Sequence, residues 1–183
     1  MTAHNTKLSA RVTVERYQRL EQSNDRKALA EFVRQRFDER YFFPIESTPR
    51  QDKHGFTIMA IGCLVIETLE SFYQGKADTK GESSAMFRDF FKRDTSLNVF
   101  SGENNWFYRD IRCGILHQSE ARNGWRILRS GPLLDKSTKS INATKFIRGL
   151  RVAVDAYAAQ LEKDGIIWTN FKKKMKAVCK NCE

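Results

Sequence analysis

At 183 residues, 40% apolar and 30% charged, the chain is long enough for one domain with a core of its own and too apolar to be disordered over most of its length. Its net charge of +10 favours a polyanionic partner, because lysines and arginines that neutralise phosphates release condensed counterions; a merely basic surface is the alternative. The four cysteines are not spaced as a secreted disulfide framework, and the longest apolar run, 58–66, falls far short of the roughly 20 residues of a membrane span.

Met1 to Asn5 precede no apolar run, which predicts a cytoplasmic protein without a secretory leader or membrane association. Sparse apolar residues from Leu8 to Leu20 predict a first helix. After Ser23-Asn24-Asp25, the segment Lys27 to Tyr41 carries Ala28, Leu29, Phe32, Val33 and Phe37 at helical spacing behind an N-cap. Pro44 and Pro49 bracket a loop, and Phe56 to Tyr73 forms the most apolar helix, closed by Gly75. One of its faces is bulky; the other carries Ala60, Cys63, Glu67 and Ser71, and close packing of these small residues on Cys113 and Gly114 would bring Glu67 near Arg112.

Ser83 or Ser84 caps a short helix with Met86, Phe87, Phe90 and Phe91 inward, and Asn104 or Asn105 caps a helix through Trp106 to Gln118. Trp125 to Arg129, between Asn123-Gly124 and Gly131-Pro132, reads as one strand of a short hairpin. Asn142 caps a last long helix to Leu161. Across its approach and first half lie Lys136, Lys139, Lys145, Arg148 and Arg151 with no acid between Lys136 and Arg151, a solvated face or an anion-binding one. Cations at a helix start oppose the macrodipole, so helix stability does not account for them. The expected organisation is a single domain over 1–163, with 164–183 as a basic tail or a docked short helix whose partner is the domain, RNA, a membrane surface or another protein.

Among chemical constellations, Cys179-Lys180-Asn181-Cys182 is half a zinc site with no second ligand pair at suitable spacing, and no Gly-rich phosphate loop, nucleophile elbow or metalloprotease helix occurs. Arg112 and His117 are more coherent. An arginine holds phosphate bidentately, and a histidine moves protons near neutral pH. RNA supplies its own 2′-hydroxyl nucleophile, so this pair needs no metal or cofactor to cleave it. Five residues separate the two by roughly 140° around a regular helix, so one copy makes a poor compact site. Either the helix ends near Leu116 and lets His117 swing round, or two chains pair their motif helices through Ile111, Cys113, Gly114 and Ile115; the second is favoured, although a core role would use the same residues. Arg50 and His54 form a near miss in a loop, which shows how readily such pairs arise in an arginine-rich chain.

The stretch Ile111-Arg112-Cys113-Gly114-Ile115-Leu116-His117-Gln118, an Arg-x4-His motif followed by Trp125, resembles the HEPN superfamily, and within it abortive-infection and ApeA-like domains. The helix with Glu67-Thr68-Leu69-Glu70 upstream and the helix from Asn142 downstream suit that family's order, so the resemblance covers 27–161. It implies an all-α helical bundle that dimerises with its motifs facing, and a metal-independent endoribonuclease, without cofactor, that leaves 2′,3′-cyclic phosphate ends in defence or stress. A toxin-like activity of this kind implies an antitoxin or other regulatory protein. In that scheme Arg112 holds the scissile phosphate and His117 transfers protons, Glu67 orients Arg112, Asp110 orients the imidazole, Arg109 supports the site, and Lys145, Arg148 and Arg151 are candidates for RNA binding. Two departures stand out: Cys113 occupies the place where many active members carry a polar residue, and Ser119 the place of the toxin subgroup's tyrosine. Some members bind without catalysing, so a non-catalytic RNA-binding or protein-interaction module is the alternative.

Overall fold

A computed structural model describes residues 5–49 and 53–182. Arg50 of the near-miss pair and the first four residues lie outside that range. The protein is mainly helical: α1 (Val14–Gln22), α2 (Arg26–Phe37), α3 (Phe43–Glu46), α4 (Gly55–Gln74), α5 (Ser83–Arg93), α6 (Cys113–Gln118), α7 (Ala143–Lys163) and α8 (Gly165–Lys180). Two π-helical turns, Asp38–Phe42 and Phe107–Arg112, lead into α3 and α6. The chain forms two compact units, one of 1–44, 71–78 and 154–183, the other of 45–70 and 79–153. The boundary expected at residue 163 separates α7 from α8 but is not where the two units divide.

In the first unit Asp25 caps α2 as expected, its Oδ1 accepting from Ala28 N at 3.0 Å. The first helix starts later than its sparse pattern predicts, at Val14, with Thr13 Oγ1 accepting from Arg16 N; Leu8 and Ser9 instead turn back, both amides donating to the Val12 carbonyl. Pro44, read as a loop residue, lies in α3, which continues directly from the π turn Asp38–Phe42. Phe72 anchors this core, 5.9 Å from Phe171 and 6.1 Å from Tyr157 between ring centroids. Gly75 ends α4 at φ 65°, and a side chain there would strike Asn170 Cα at 2.9 Å. The basic segment after Gly165 is a 16-residue helix with Asp164 as N-cap and Trp168, Phe171 and Met175 buried. It is docked rather than a tail.

The second unit is organised around an aromatic cluster. The Phe107 ring, fully buried, lies 5.0 Å from Phe91, 5.2 Å from Phe100 and 5.4 Å from Phe146. Burying a phenylalanine contributes about 1.5–3 kcal/mol, and each good ring pair about 0.5–1.5 kcal/mol more. Three strands, β1 (Arg126–Leu128), β2 (Leu134–Asp135) and β3 (Ser140–Asn142), form a sheet in the order β1-β3-β2. This corrects the single hairpin predicted around Trp125 to Arg129. β1 pairs in parallel with β3, and the antiparallel partner of β3 is β2. The error has a local cause: the turn residues around Gly124 and Gly131 mark the ends of β1 but carry no information about which strand it meets. Asn142 is both the last residue of β3 and the cap of α7, its Oδ1 accepting from Lys145 N at 3.0 Å.

α4 has the length and hydropathy of a membrane span, yet 56% of that window is buried inside the protein. Its Gly62 packs closely against α7: an added Cβ would lie 2.7 Å from Phe146 Cε1 and 3.1 Å from Leu150 Cδ1. Gly62→Ala is therefore expected to destabilise the protein by about 1–3 kcal/mol through overpacking, measured as a lower midpoint in denaturant unfolding at unchanged slope.

Candidate active site

The residues of the Arg-x4-His motif lie where the second π turn passes into α6. Phe107 and Ile111 face the core, fully buried, which turns Tyr108 and Arg112 toward the partly open side. The turn is widened by one residue, with Cys113 N–H donating to the Tyr108 carbonyl five residues back. α6 then stops abruptly at Ser119, whose φ of 56° is left-handed. The chain folds straight back over the helix it has just left. Arg122 N donates to the Asp110 carbonyl at 2.8 Å, and Asn123 Nδ2 donates to Asp110 Oδ1 at 2.9 Å.

This return path explains Gly114. A Cβ there would sit 2.5 Å from the Glu120 carbonyl oxygen and 3.2 Å from Arg122 N. Gly114 is covered by the chain's own turn, and Ile111 and Ile115 are buried as well, so of the residues expected to pair two motif helices only Cys113 is partly exposed.

The expectation that Arg112 and His117 diverge is also corrected. Arg112 Nη1 lies 3.5 Å from His117 Nε2 within one copy. The 140° separation describes where the side chains leave a regular helix; the reach of the long arginine closes the gap. With the guanidinium as donor, Nε2 is the acceptor, so the contact requires the proton of a neutral imidazole on Nδ1. His117 is exposed, whereas the Arg112 side chain is 18% exposed.

Glu67 approaches the guanidinium from α4, its Oε2 3.5 Å from Arg112 Nη2. Its other oxygen is held by two hydroxyls, Thr79 Oγ1 at 2.6 Å and Ser83 Oγ at 2.7 Å. Ser83, expected as a helix cap, thus donates to the carboxylate instead, and α5 begins without a side-chain cap. The Arg112 guanidinium lies over the Tyr108 ring at 5.3 Å. Its Nε is covered and finds no hydrogen-bond acceptor, so the arginine is fixed by the carboxylate and the ring while part of its donor capacity stays unused. Burial, and then a hydrogen bond with Cys113, push the Tyr108 phenol above its ordinary pKa, so it stays neutral near neutral pH. Burial likewise pushes the Cys63 thiol up against the pull of Arg112, so it stays a thiol.

The other sequence candidates go elsewhere. Asp110, 3% exposed, does not reach His117; it accepts from Arg109 Nε at 2.7 Å and Nη2 at 2.8 Å as well as from Asn123. Those partners, Arg109 first, hold its carboxyl below the usual carboxylate range. Arg109 therefore braces the turn rather than the histidine. Lys145 and Arg148 are exposed on α7, and Arg151 pairs with Glu46 at 2.9 Å; none of the three contacts Arg112, His117 or Glu67. Asn104 and Asn105, expected as helix caps, take left-handed φ values of 55° and 47°, and Asn105 Nδ2 donates to Ser84. Sequence reasoning missed Tyr108, Thr79 and Ser83 as neighbours of the pair. Tyr108 lies four residues before Arg112, a helical spacing that carries a signal; the other two come from a loop and a helix start whose placement no local pattern specifies.

No group of three or more His, Cys, Asp or Glu side chains is placed to hold a metal among the described residues, and Cys179 and Cys182 are not joined in a disulfide. Compared with known protein families, curated proteins and solved structures, the chain matches none.

Two outcomes follow from this geometry. Gly114→Ala should displace the 119–122 turn and cost about 1–3 kcal/mol, with a changed His117 ring signal by NMR as the local readout. Because the folded-state pKa of Asp110 is depressed, its contribution to stability is present above the unfolded value near about 4 and is lost as pH falls through the folded pKa. Stability measured against pH should therefore drop more steeply below about pH 4 in the wild type than in Asp110→Asn.

Proposed function

We propose that the protein is a metal-independent endoribonuclease of HEPN type, as the Arg-x4-His resemblance implies. The observation that carries this reading is the 3.5 Å contact between a held Arg112 and an exposed His117 in one chain. In the proposed reaction the 2′-oxygen attacks the adjacent phosphorus, the bond to the 5′-oxygen breaks, and a 2′,3′-cyclic phosphate forms. His117 Nε2, the acceptor in its contact with Arg112, takes the 2′-hydroxyl proton. The guanidinium turns its amino groups to the phosphate oxygens as negative charge builds there. Glu67 is the positioning residue for the arginine. The leaving 5′-oxygen needs a proton of its own, which the His117 of a second copy supplies as an imidazolium, becoming neutral as it does so; this is the reason to retain a homodimer, now through the exposed Leu116 and His117 rather than the buried Gly114 face. A role in defence or stress, restrained by a regulatory protein, fits an RNA-cleaving activity of this kind.

Labelled RNA incubated with the protein and EDTA should yield cyclic-phosphate ends. Arg112→Ala and His117→Ala should each lower the rate by at least about a hundredfold while leaving the unfolding midpoint close to wild type. Unchanged cleavage by both variants would overturn the assignment. RNA retained without cleavage by the wild type would favour the non-catalytic binding module instead.

A further inference from the structure

The basic run at the start of α7 is not absorbed by the Arg112–His117 site. We propose that it belongs to a second site, a cavity in the 45–70 and 79–153 unit that takes the phosphate group of a small phosphate monoester. The site shares no residue with the proposed nuclease centre and does not rest on that reading.

The cavity has a volume of about 370 Å³, within the range of small-molecule sites, and Arg129, Thr144 and Arg148 line it. Arg129 projects just beyond β1 and is half-buried. Its Nε donates to Thr144 Oγ1 at 2.7 Å, and its Nη1 lies 3.0 and 3.2 Å from the two ring nitrogens of His54. The fork is thus held on two sides without a carboxylate. Arg148, one turn further along α7, has no carboxylate partner among the described residues either. The acid on the cavity wall, Glu46, is already paired with Arg151 at 2.9 Å, so it does not neutralise the other two.

Electrostatics makes this arrangement costly while the cavity is empty. Two unpaired guanidiniums converge on one cavity, beside the positive end of a 21-residue helix dipole, with Lys145 in the same turn. An anion in the cavity would offset all of these charges together. A carboxylate presents two acceptor oxygens, whereas a phosphate monoester presents three and close to two negative charges, a better match for the Arg148 fork, the remaining Arg129 Nη2 and a hydroxyl. Ile45, Ile58 and Ile147, with Thr48, form the rest of the wall, and the three isoleucines give the ligand's organic part an apolar seat that inorganic phosphate leaves unfilled.

Isothermal titration of the full chain with inorganic phosphate, adenosine 5′-monophosphate and adenosine tests this. The monophosphate should bind more tightly than phosphate, and adenosine should not bind. Arg148→Gln, an exposed position that does not threaten folding, should weaken monophosphate binding by at least about tenfold, and Arg129→Gln at least as much. Lys92→Gln, which removes the same charge on α5, should leave it unchanged, as should His117→Ala. A short RNA with a 5′-phosphate, set against its 5′-hydroxyl form, distinguishes an RNA end from a free small ester as the source of the group. Absence of monophosphate binding, wild-type affinity in Arg148→Gln, or loss of binding in His117→Ala would each overturn the proposal.

Discussion

The close return of the chain over Gly114 governs the arrangement of the motif. Because no side chain intervenes, the Glu120 carbonyl can approach to 2.5 Å of where a Cβ would stand. The backbone of 119–123 can then reach Asp110, whose carbonyl and carboxylate bind Arg122 N and Asn123 Nδ2. That closure ends α6 immediately after His117 and leaves the imidazole exposed at the edge of the turn. The aromatic cluster around Phe107 fixes the opposite side of the same segment. Between these two constraints the widened turn has little freedom, and Arg112 is delivered to a defined place.

Charge in this protein is distributed unevenly in its satisfaction. Asp110 is saturated with donors, and Glu67 is held by two hydroxyls before it meets an arginine. The guanidiniums are less complete: Arg112 keeps an unpaired Nε, and Arg129 rests on a hydroxyl and an imidazole. A half-buried cation without a carboxylate partner, such as Arg129, retains capacity for an anion that an ion-paired one, such as Arg151, has already spent. The two proposed sites differ in this respect, because Arg112 is held by the Glu67 carboxylate.

Helical periodicity was a sound guide wherever the apolar face is continuous. α2, α4, α5 and α7 lie close to the expected ranges, because burial of such a face is decided by spacing alone. The closeness of Glu67 to Arg112 was also legible, from the small residues that let α4 be approached. It failed where a residue had two equivalent uses. Ser83 can cap a helix or bind a carboxylate, Asp110 can face an imidazole or a guanidinium, and a small residue such as Gly114 can admit a second chain or its own next turn. Local pattern assigns each of these the same residue type, so it does not choose between them.

By itself, the sequence determined a mainly helical protein with a net charge of +10, a basic α7 start, and an arginine and a histidine five residues apart near the end of one helix. Those follow from composition and periodicity, which are properties of the chain. Only the tertiary structure decided that Arg112 and His117 meet within one copy, that Asp110 is turned away from them, and that β1 pairs in parallel with β3. Each of these depends on a contact between distant segments or on the reach of a long side chain. Neither is encoded in the spacing of residues along an ideal helix.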